Sequence, residues 1–112
     1  MEKITWQQFT EIEMRVGTII EISDFPNAKK PAYQLTIDFG DETGIKKSSA
    51  QITGKYLKED LLGRQVVAVV NFPPKQIANF MSECLVLGAV DANHQVTLLQ
   101  PERPVINGLR IL

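Results

Sequence analysis

Several short runs of the chain alternate between apolar and polar residues. Residues 33–39 (YQLTIDF) alternate without a break, and from Arg15 onward Val16, Thr18, Ile20 and Ile22 would share one face. This period of two is typical of half-buried antiparallel strands. The same pattern, bounded by turn residues, predicts further strands over residues 45–52, 65–72, 83–90 and 95–100.

Two short helices interrupt this β pattern. Thr5 with Gln8 forms a capping-box signal, and the apolar spacing that follows predicts a helix ending near Met14. A second helix is predicted within residues 53–63, where Gly63 is the stop signal. At the C-terminus, the Asn-Gly pair in residues 105–112 (VINGLRIL) predicts a type I′ hairpin.

The order of these elements predicts the fold class. We expect an all-β protein with short helices, built as a five-stranded OB-fold barrel with a helix between strands 3 and 4. An N-terminal helix and a C-terminal hairpin would extend the barrel. A length of 112 residues suits one domain covering residues 1–112.

Composition and charge limit the kind of partner. The chain is 44% hydrophobic and 22% charged, with a formal net charge of −1, so any site for a polyanion must be a local basic patch. No apolar run approaches the roughly 20 residues of a membrane span. The N-terminal residues also lack the pattern of a signal peptide, so we expect a cytoplasmic protein without a membrane partner.

The residues needed for common catalytic sites are scarce. The single histidine, His94, falls in a predicted turn that would not hold it rigidly beside a serine. The single cysteine, Cys84, lies in an apolar run and is best interpreted as a small buried side chain. One histidine and one cysteine cannot assemble a closed zinc site. We therefore expect a binding protein that is not an enzyme and needs no metal or cofactor.

Polar residues are concentrated in two segments, and residues 45–52 (IKKSSAQI) are the first. As a strand, this segment would place Lys46 and Ser48 on one side and Lys47, Ser49 and Gln51 on the other, so one lysine must face outward. Ammonium, hydroxyl and amide groups together suit phosphate and ribose oxygens. Taken alone, however, the segment is better explained as a solvated edge strand on which lysine blocks edge-to-edge pairing.

The second polar segment is the long connection within residues 69–87 (VVNFPPKQIANFMSECLVL). Two prolines end the preceding strand, and Lys75 follows them, while Asn71, Ser82 and Glu83 bracket the loop. The carboxylate of Glu83 does not attract phosphate, so it would accept a hydrogen bond from a base amine or orient Lys75. The alternative is a surface Lys75–Glu83 ion pair without function.

These segments also carry a family resemblance. Residues 12–21 (IEMRVGTIIE), 44–53 (GIKKSSAQIT) and 69–88 resemble, in order and spacing, the tRNA-binding domain of the EMAP II and Arc1p type. That domain occurs attached to methionyl- and phenylalanyl-tRNA synthetases and as free-standing dimers. The resemblance covers nearly the whole chain and is greatest to free-standing bacterial members described as secretion-related chaperones.

The resemblance implies an OB-fold homodimer that binds tRNA through shape and backbone without catalysis. By motif position, the site residues it implies are Arg15, Lys46, Ser49, Gln51, Asn71, Lys75, Ser82 and Glu83. Two positions depart from the family pattern. Asn79 stands where glycine is usual, and we expect it to tolerate a left-handed turn; Met81 stands where a basic residue is common.

Two hypotheses about partners follow. In the first, a homodimer binds tRNA, and its interface is the apolar surface of the chain termini, formed by Trp6, Phe9, Leu109, Ile111 and Leu112. In the second, the same groove binds unfolded or preprotein peptides through Tyr33, Phe80 and Met81, with Phe72 nearby. Aromatic residues also serve as core; we expect this of Phe72, whereas Phe80 fits either role equally well.

Overall fold

A five-stranded antiparallel sheet forms the body of the protein. The computed structural model describes residues 1–112, and the sheet order is β3-β2-β1-β4-β7. The strands are β1 (Met14–Asp24), β2 (Tyr33–Asp38), β3 (Ile45–Ala50), β4 (Gln65–Val69), β5 (Lys75–Ile77), β6 (Phe80–Ser82), β7 (Leu85–Val86), β8 (Gly88–Val90) and β9 (Val96–Leu98). The helices are α1 (Trp6–Thr10), α2 (Gly40–Thr43) and α3 (Lys58–Leu61).

The sheet curls into a nearly closed barrel whose outer strands meet at a seam. β3 forms one side of the seam, and residues 82–86 form the other. α3 lies between β3 and β4 in the chain, as the sequence order predicts. The OB-fold class is therefore confirmed, and no helix is long and apolar enough to cross a membrane.

The core follows the predicted alternation in β2 but not throughout β1. Tyr33, Leu35 and Ile37 are buried along β2, and polar residues alternate with them. In β1 the pairing register with β2 shifts between Ile19 and Glu21. Before the shift, Gly17 and Ile19 face the core, so Val16, Thr18 and Ile20 lie on the opposite face and Ile20 is 39% exposed. Because a β-bulge reverses the alternation beyond it, Ile22 packs on the core, and the prediction that Ile22 shares the face of Val16 and Ile20 is wrong.

The N-terminal helix is shorter than predicted. The capping box between Thr5 and Gln8 is present, which confirms that prediction, but α1 ends at Thr10 rather than near Met14. The chain becomes extended at Met14 because residues 14–18 pair with β4. Tertiary pairing therefore outweighs the helical spacing of the sequence here.

The predicted type I′ hairpin at the C-terminus is not formed. That turn requires positive φ at both central residues, and only Gly108 has it, at 96°. Residues 108–111 pair with β1 instead, through hydrogen bonds from Gly108 N to Val16 O and from Ile111 N to Met14 O. β2 pairs with β1 only from Thr18 onward, so this part of β1 has a free edge that the C-terminal segment satisfies.

Candidate nucleic-acid interface

A basic cavity lies where the β1–β2 loop, the end of β3 and the β5–β6 hairpin meet. Its volume is about 560 Å³, and Lys29, Lys30 and Lys75 line it together with Ser49 and Gln51. None of the three lysines forms a salt bridge or donates a side-chain hydrogen bond within the protein. Three free ammonium groups therefore surround one concave surface.

A second cavity of about 380 Å³ adjoins the first and is more apolar. Phe72, Pro73 and Leu85 line it, and it shares Ser49, Lys75 and Ile77 with the basic cavity. Because these three shared residues join the two cavities, we call the combined surface the groove. The groove thus has a basic part and an apolar part, with Lys75 at the junction.

The long connection of residues 70–84 is explained by a small hairpin that forms one wall of the groove. β5 pairs with β6, placing Lys75 opposite Ser82 and Ile77 opposite Phe80. The ring of Phe80 packs on buried Phe25 at a centroid distance of 5.4 Å, which anchors the hairpin to the β1–β2 loop. The positive φ of the turn lies at Ala78 (53°), so the expectation that Asn79 takes it is wrong.

Ser82 and Glu83 close the barrel seam. The Glu83 carboxylate accepts a hydrogen bond from the Lys47 amide at 3.0 Å, and the Glu83 amide donates to the Lys47 carbonyl at 2.7 Å. Ser82 Oγ accepts a hydrogen bond from the Ser49 amide at 3.1 Å. These bonds satisfy backbone groups of β3 that would otherwise form an open sheet edge. Lys75 and Glu83 form no ion pair, so neither the orienting role nor the simple surface pair is present.

The two adjacent lysines of β3 point to opposite sides, as the alternation predicts. Ser48 and Ala50 are buried, so half-buried Lys46 lies on their inner side, close enough to Cys84 to affect its thiol electrostatically. Lys47 is exposed and shares the outer side with Ser49, which lines the groove. The groove therefore gathers Ser49, Gln51, Lys75, Ser82 and Glu83, whereas Lys46 lies on the other side of the strand.

Arg15 and Asn71 line neither cavity of the groove. Arg15 Nη2 lies 2.6 Å from Glu13 Oε1, and Arg15 Nη1 donates to the Gly108 carbonyl at 3.0 Å. The hydrogen bond from Arg15 lowers the pKa of Glu13 below its usual value, and the charges of Arg15 and Arg110 act in the same direction. Asn71 bonds the segment after α1, accepting from the Glu13 amide at 3.0 Å. In the isolated chain both residues hold the termini against the barrel.

The aromatic residues differ in their exposure. Tyr33 is buried in the core, and its hydroxyl donates to the Tyr56 carbonyl at 2.8 Å. Phe72 is 54% exposed at the apolar cavity, so the expectation that it belongs to the core is wrong. The reason is that β4 ends at Val69, before the two prolines, and Phe72 already belongs to the loop. Met81 is 48% exposed on β6, and Phe80 is half-buried.

The two chain termini lie side by side and expose apolar residues. Arg110 Nη2 donates to the Thr10 carbonyl at 2.7 Å, which ties the C-terminal segment to α1. Trp6 and Leu112 are largely exposed, and Leu109 is about half exposed. Phe9 and Ile111 are half-buried, the Phe9 ring packing against that of Trp6. We call Trp6, Phe9, Leu109, Ile111 and Leu112 the terminal patch.

The cysteine thiol is poorly suited to nucleophilic chemistry. Cys84 is buried beside β3, and burial raises the pKa of its thiol to about 11. The thiolate is the reactive form, and only a trace is present near neutral pH. The sequence-based interpretation of Cys84 as a small buried side chain matches this environment.

Sequence reasoning missed Lys29 and Lys30. Both lie in the β1–β2 loop, which the sequence shows only as a break rich in proline and polar residues (DFPNAKKP). A usable signal was present, because the loop between the first two strands of an OB-fold borders its ligand-binding face. An adjacent pair of lysines in that loop is therefore a candidate for the site.

Comparison with known proteins identifies the family. The model described as "Putative tRNA binding domain" matches residues 14–110 of the chain. The chain belongs to this family of tRNA-binding domains. Among curated relatives of the domain, the methionine–tRNA ligase of Thermococcus kodakarensis is 37% identical over 111 residues. The match covers 99% of this chain but only 14% of that ligase, so the chain spans a small part of the length of such relatives.

Two solved structures of chaperone CsaA match the domain over their full length. The protein from Bacillus anthracis is 49% identical with a TM-score of 0.93, covering 99% of this chain and 100% of that one. The protein from Picrophilus torridus is 54% identical with a TM-score of 0.92, covering 98% of this chain and 100% of that one. The predicted likeness to the tRNA-binding family and to its chaperone-like members is confirmed.

Proposed function

We propose that this protein is a non-catalytic, dimeric tRNA-binding protein of the cytoplasm, in which residues 1–112 act as one domain and the groove holds the RNA. The single observation that carries the proposal is the clustering of Lys29, Lys30 and Lys75 around one cavity in a chain of net charge −1. A polyanion is attracted to such a local patch although the whole protein is nearly neutral.

The position of the groove supports the same function. OB-folds bind oligonucleotides on the face of strands 2 and 3, flanked by the loop between strands 1 and 2 and the loop between strands 4 and 5. Here β3, the β1–β2 loop and the connection after β4 form the groove. The basic side chains of this chain therefore coincide with the usual ligand face of the fold.

The groove offers groups for bases as well as for phosphates. The ammonium groups would contact phosphates, and the Ser49 hydroxyl and Gln51 amide suit ribose and base edges. Glu83 Oε1 is occupied by the Lys47 amide, but the other carboxylate oxygen has no hydrogen-bond partner in the chain. That free oxygen can accept a hydrogen bond from a base amine. Met81, where the family often has a basic residue, leaves the phosphate contacts to the three lysines.

Dimerisation is proposed from the terminal patch. Its exposed Trp6 and Leu112 would be costly to leave in water, and a patch formed by both termini can be covered by the same patch of a second copy. Analytical ultracentrifugation tests this directly. A Trp6→Glu/Leu112→Glu variant should sediment as a monomer, whereas a monomeric wild-type protein would refute the proposal.

The test of RNA binding is a tRNA titration across a salt series. With three phosphates neutralised per site, affinity should fall roughly 20- to 40-fold between about 50 mM and 200 mM salt. A Lys75→Ala variant should bind more weakly and lower the log–log salt slope by about 0.7–0.9. Lys58→Ala is the matched control, because Lys58 also carries one positive charge but pairs with Asp24 away from the groove. Affinity that does not change with salt would refute the proposal.

A second candidate function is binding of unfolded or preprotein peptides, and the exposure of Phe72 and Met81 favours it. Phe72 lines the apolar cavity beside Pro73 and Leu85, where an extended apolar segment can lie. The test compares client aggregation with RNA binding. A Phe72→Ser variant should lose suppression of aggregation and a Lys29→Ala/Lys75→Ala variant should retain it; loss of both activities in both variants would indicate one shared site.

A further inference from the structure

A third cavity continues the groove beyond β3. Its volume is about 230 Å³, and it shares Lys30 and Gln51 with the basic cavity. Its far wall is the tip of the β8–β9 hairpin, represented by His94 and Gln95. This hairpin follows the five strands of the sheet, so it is an addition to the usual ligand face of the OB-fold.

The hairpin tip is an ordered turn. Asp91 Oδ1 accepts hydrogen bonds from the Asn93 amide at 2.8 Å and the Gln95 amide at 3.0 Å, and the His94 amide donates to the Asp91 carbonyl at 3.0 Å. His94 has a φ of 61°, an uncommon value for a side chain with a Cβ. The backbone of the turn is hydrogen-bonded, whereas the His94 side chain is exposed and has no hydrogen-bond partner within the protein.

The hairpin tip is also fitted to the loop opposite. A Cβ built on Gly54 would collide with Gln95 Oε1, so the Gln95 side chain lies directly over this glycine. Nearby, Lys55 Nζ donates to Thr97 Oγ1 at 2.8 Å and holds the same loop, residues 51–57 between β3 and α3, to β9. Two contacts thus hold the far wall of the cavity at a defined distance from β3.

The side chains of this cavity suit a nucleotide. The His94 imidazole offers a flat face for stacking a base, and the Gln51 and Gln95 amides can both donate and accept hydrogen bonds. Lys30 supplies a positive charge for a phosphate where the third cavity joins the groove. The cavity suits a nucleotide better than a peptide, because it exposes little apolar surface: Ile52 is buried and Val96 is half-buried.

We propose that the β8–β9 hairpin extends the RNA-binding surface beyond the groove. A single-stranded RNA segment would leave the groove past Gln51 and Lys30 and place its next nucleotide against His94 and Gln95. This inference rests on the proposed RNA-binding function, which it deepens by naming single-stranded RNA as the ligand of this cavity. The hairpin would then add affinity only for RNA long enough to reach it.

The experiment measures affinity against RNA length. Fluorescent single-stranded RNAs are titrated with the wild-type protein and with a His94→Gly variant. The RNAs share one repeated sequence and differ only in length. Glycine removes the imidazole and also removes the cost of a positive φ, so the variant should fold at least as well as the wild type. Asn93→Ala is the matched control, because Asn93 lies in the same turn but does not line the cavity.

We expect the His94→Gly variant to bind the shortest RNAs as the wild type does and to bind longer RNAs about 5- to 10-fold more weakly, which is typical of one lost stacking contact. Asn93→Ala should match the wild type at every length. Equal affinity of wild type and His94→Gly at every RNA length would overturn the proposed role of the β8–β9 hairpin but not the proposed RNA-binding function. If the wild type binds no RNA of any length and no tRNA, the proposed function fails as well.

Discussion

The closure of the barrel seam by Glu83 yields the sharpest prediction. Replacing Glu83 with alanine removes the carboxylate that accepts the Lys47 amide at 3.0 Å and leaves the backbone bond between the same two residues. A hydrogen bond to a charged acceptor contributes about 1.5–3 kcal/mol when protected, and this one is exposed to solvent, so we expect a loss of about 1 kcal/mol. For a domain of this size that lowers Tm by about 3–6 °C.

The isosteric variant separates hydrogen bonding from charge. In Glu83→Gln the amide oxygen can still accept from Lys47, so its stability should stay within about 0.5 kcal/mol of the wild type. Its tRNA affinity should be lower, because the NH2 group that replaces the second carboxylate oxygen cannot accept a hydrogen bond from a base amine. Thermal unfolding gives the two stabilities, and hydrogen exchange of the Lys47 amide shows whether its bond persists.

Two results would refute this reasoning. If Glu83→Gln is as unstable as Glu83→Ala, the seam does not depend on an acceptor at this position. If Glu83→Ala keeps both its Tm and the protection of the Lys47 amide, the hydrogen bond contributes nothing. A third result concerns function: unchanged tRNA affinity in a fully stable Glu83→Gln variant would show that the second carboxylate oxygen of Glu83 accepts no hydrogen bond from the RNA.

Three further predictions test the core, the termini and the thiol. Gly17→Ala would place a Cβ 2.6 Å from a Phe39 ring carbon in the core, so urea unfolding should show a loss of about 2–3 kcal/mol, and an unchanged midpoint would contradict the packing. The pKa of Glu13 is lowered in the folded protein by its hydrogen bond to Arg15, so the stability from this pair is present near neutral pH and is lost as the pH falls below the usual carboxyl value of 4.5. Glu13→Gln should show a smaller loss over that range, although the effect is modest because the pair is partly exposed. With its pKa at about 11, Cys84 should react with a disulfide reagent at about pH 8 roughly 200-fold more slowly than a free thiol, and urea should restore the rate; rapid reaction of the folded protein would show that the thiol is accessible.

Local patterns were reliable where a segment interacts mainly with itself or its direct neighbour. The capping box of Thr5 and the strict alternation of β2 are both present, because each depends on residues close in sequence. The order of strands and the helix before β4 were enough for the OB-fold class. Prediction was poorer where distant partners compete. Pairing with β4 determines where α1 ends. The C-terminal segment forms hydrogen bonds with the free edge of β1 instead of folding into the predicted hairpin.

The same distinction applies to the candidate site. The sequence alone identified Ser49, Gln51, Lys75, Ser82 and Glu83 as polar residues of two segments, and the fold brings these segments together. It could not show that Ser82 and Glu83 also close the seam, because that role depends on β3 lying beside them in the barrel.

Only the tertiary structure added Lys29 and Lys30 to the groove and turned Arg15 and Asn71 toward the termini. The physical reason is that residue type and spacing determine which way a side chain can point along its own strand. Which side chains then share one surface is determined by how the barrel closes.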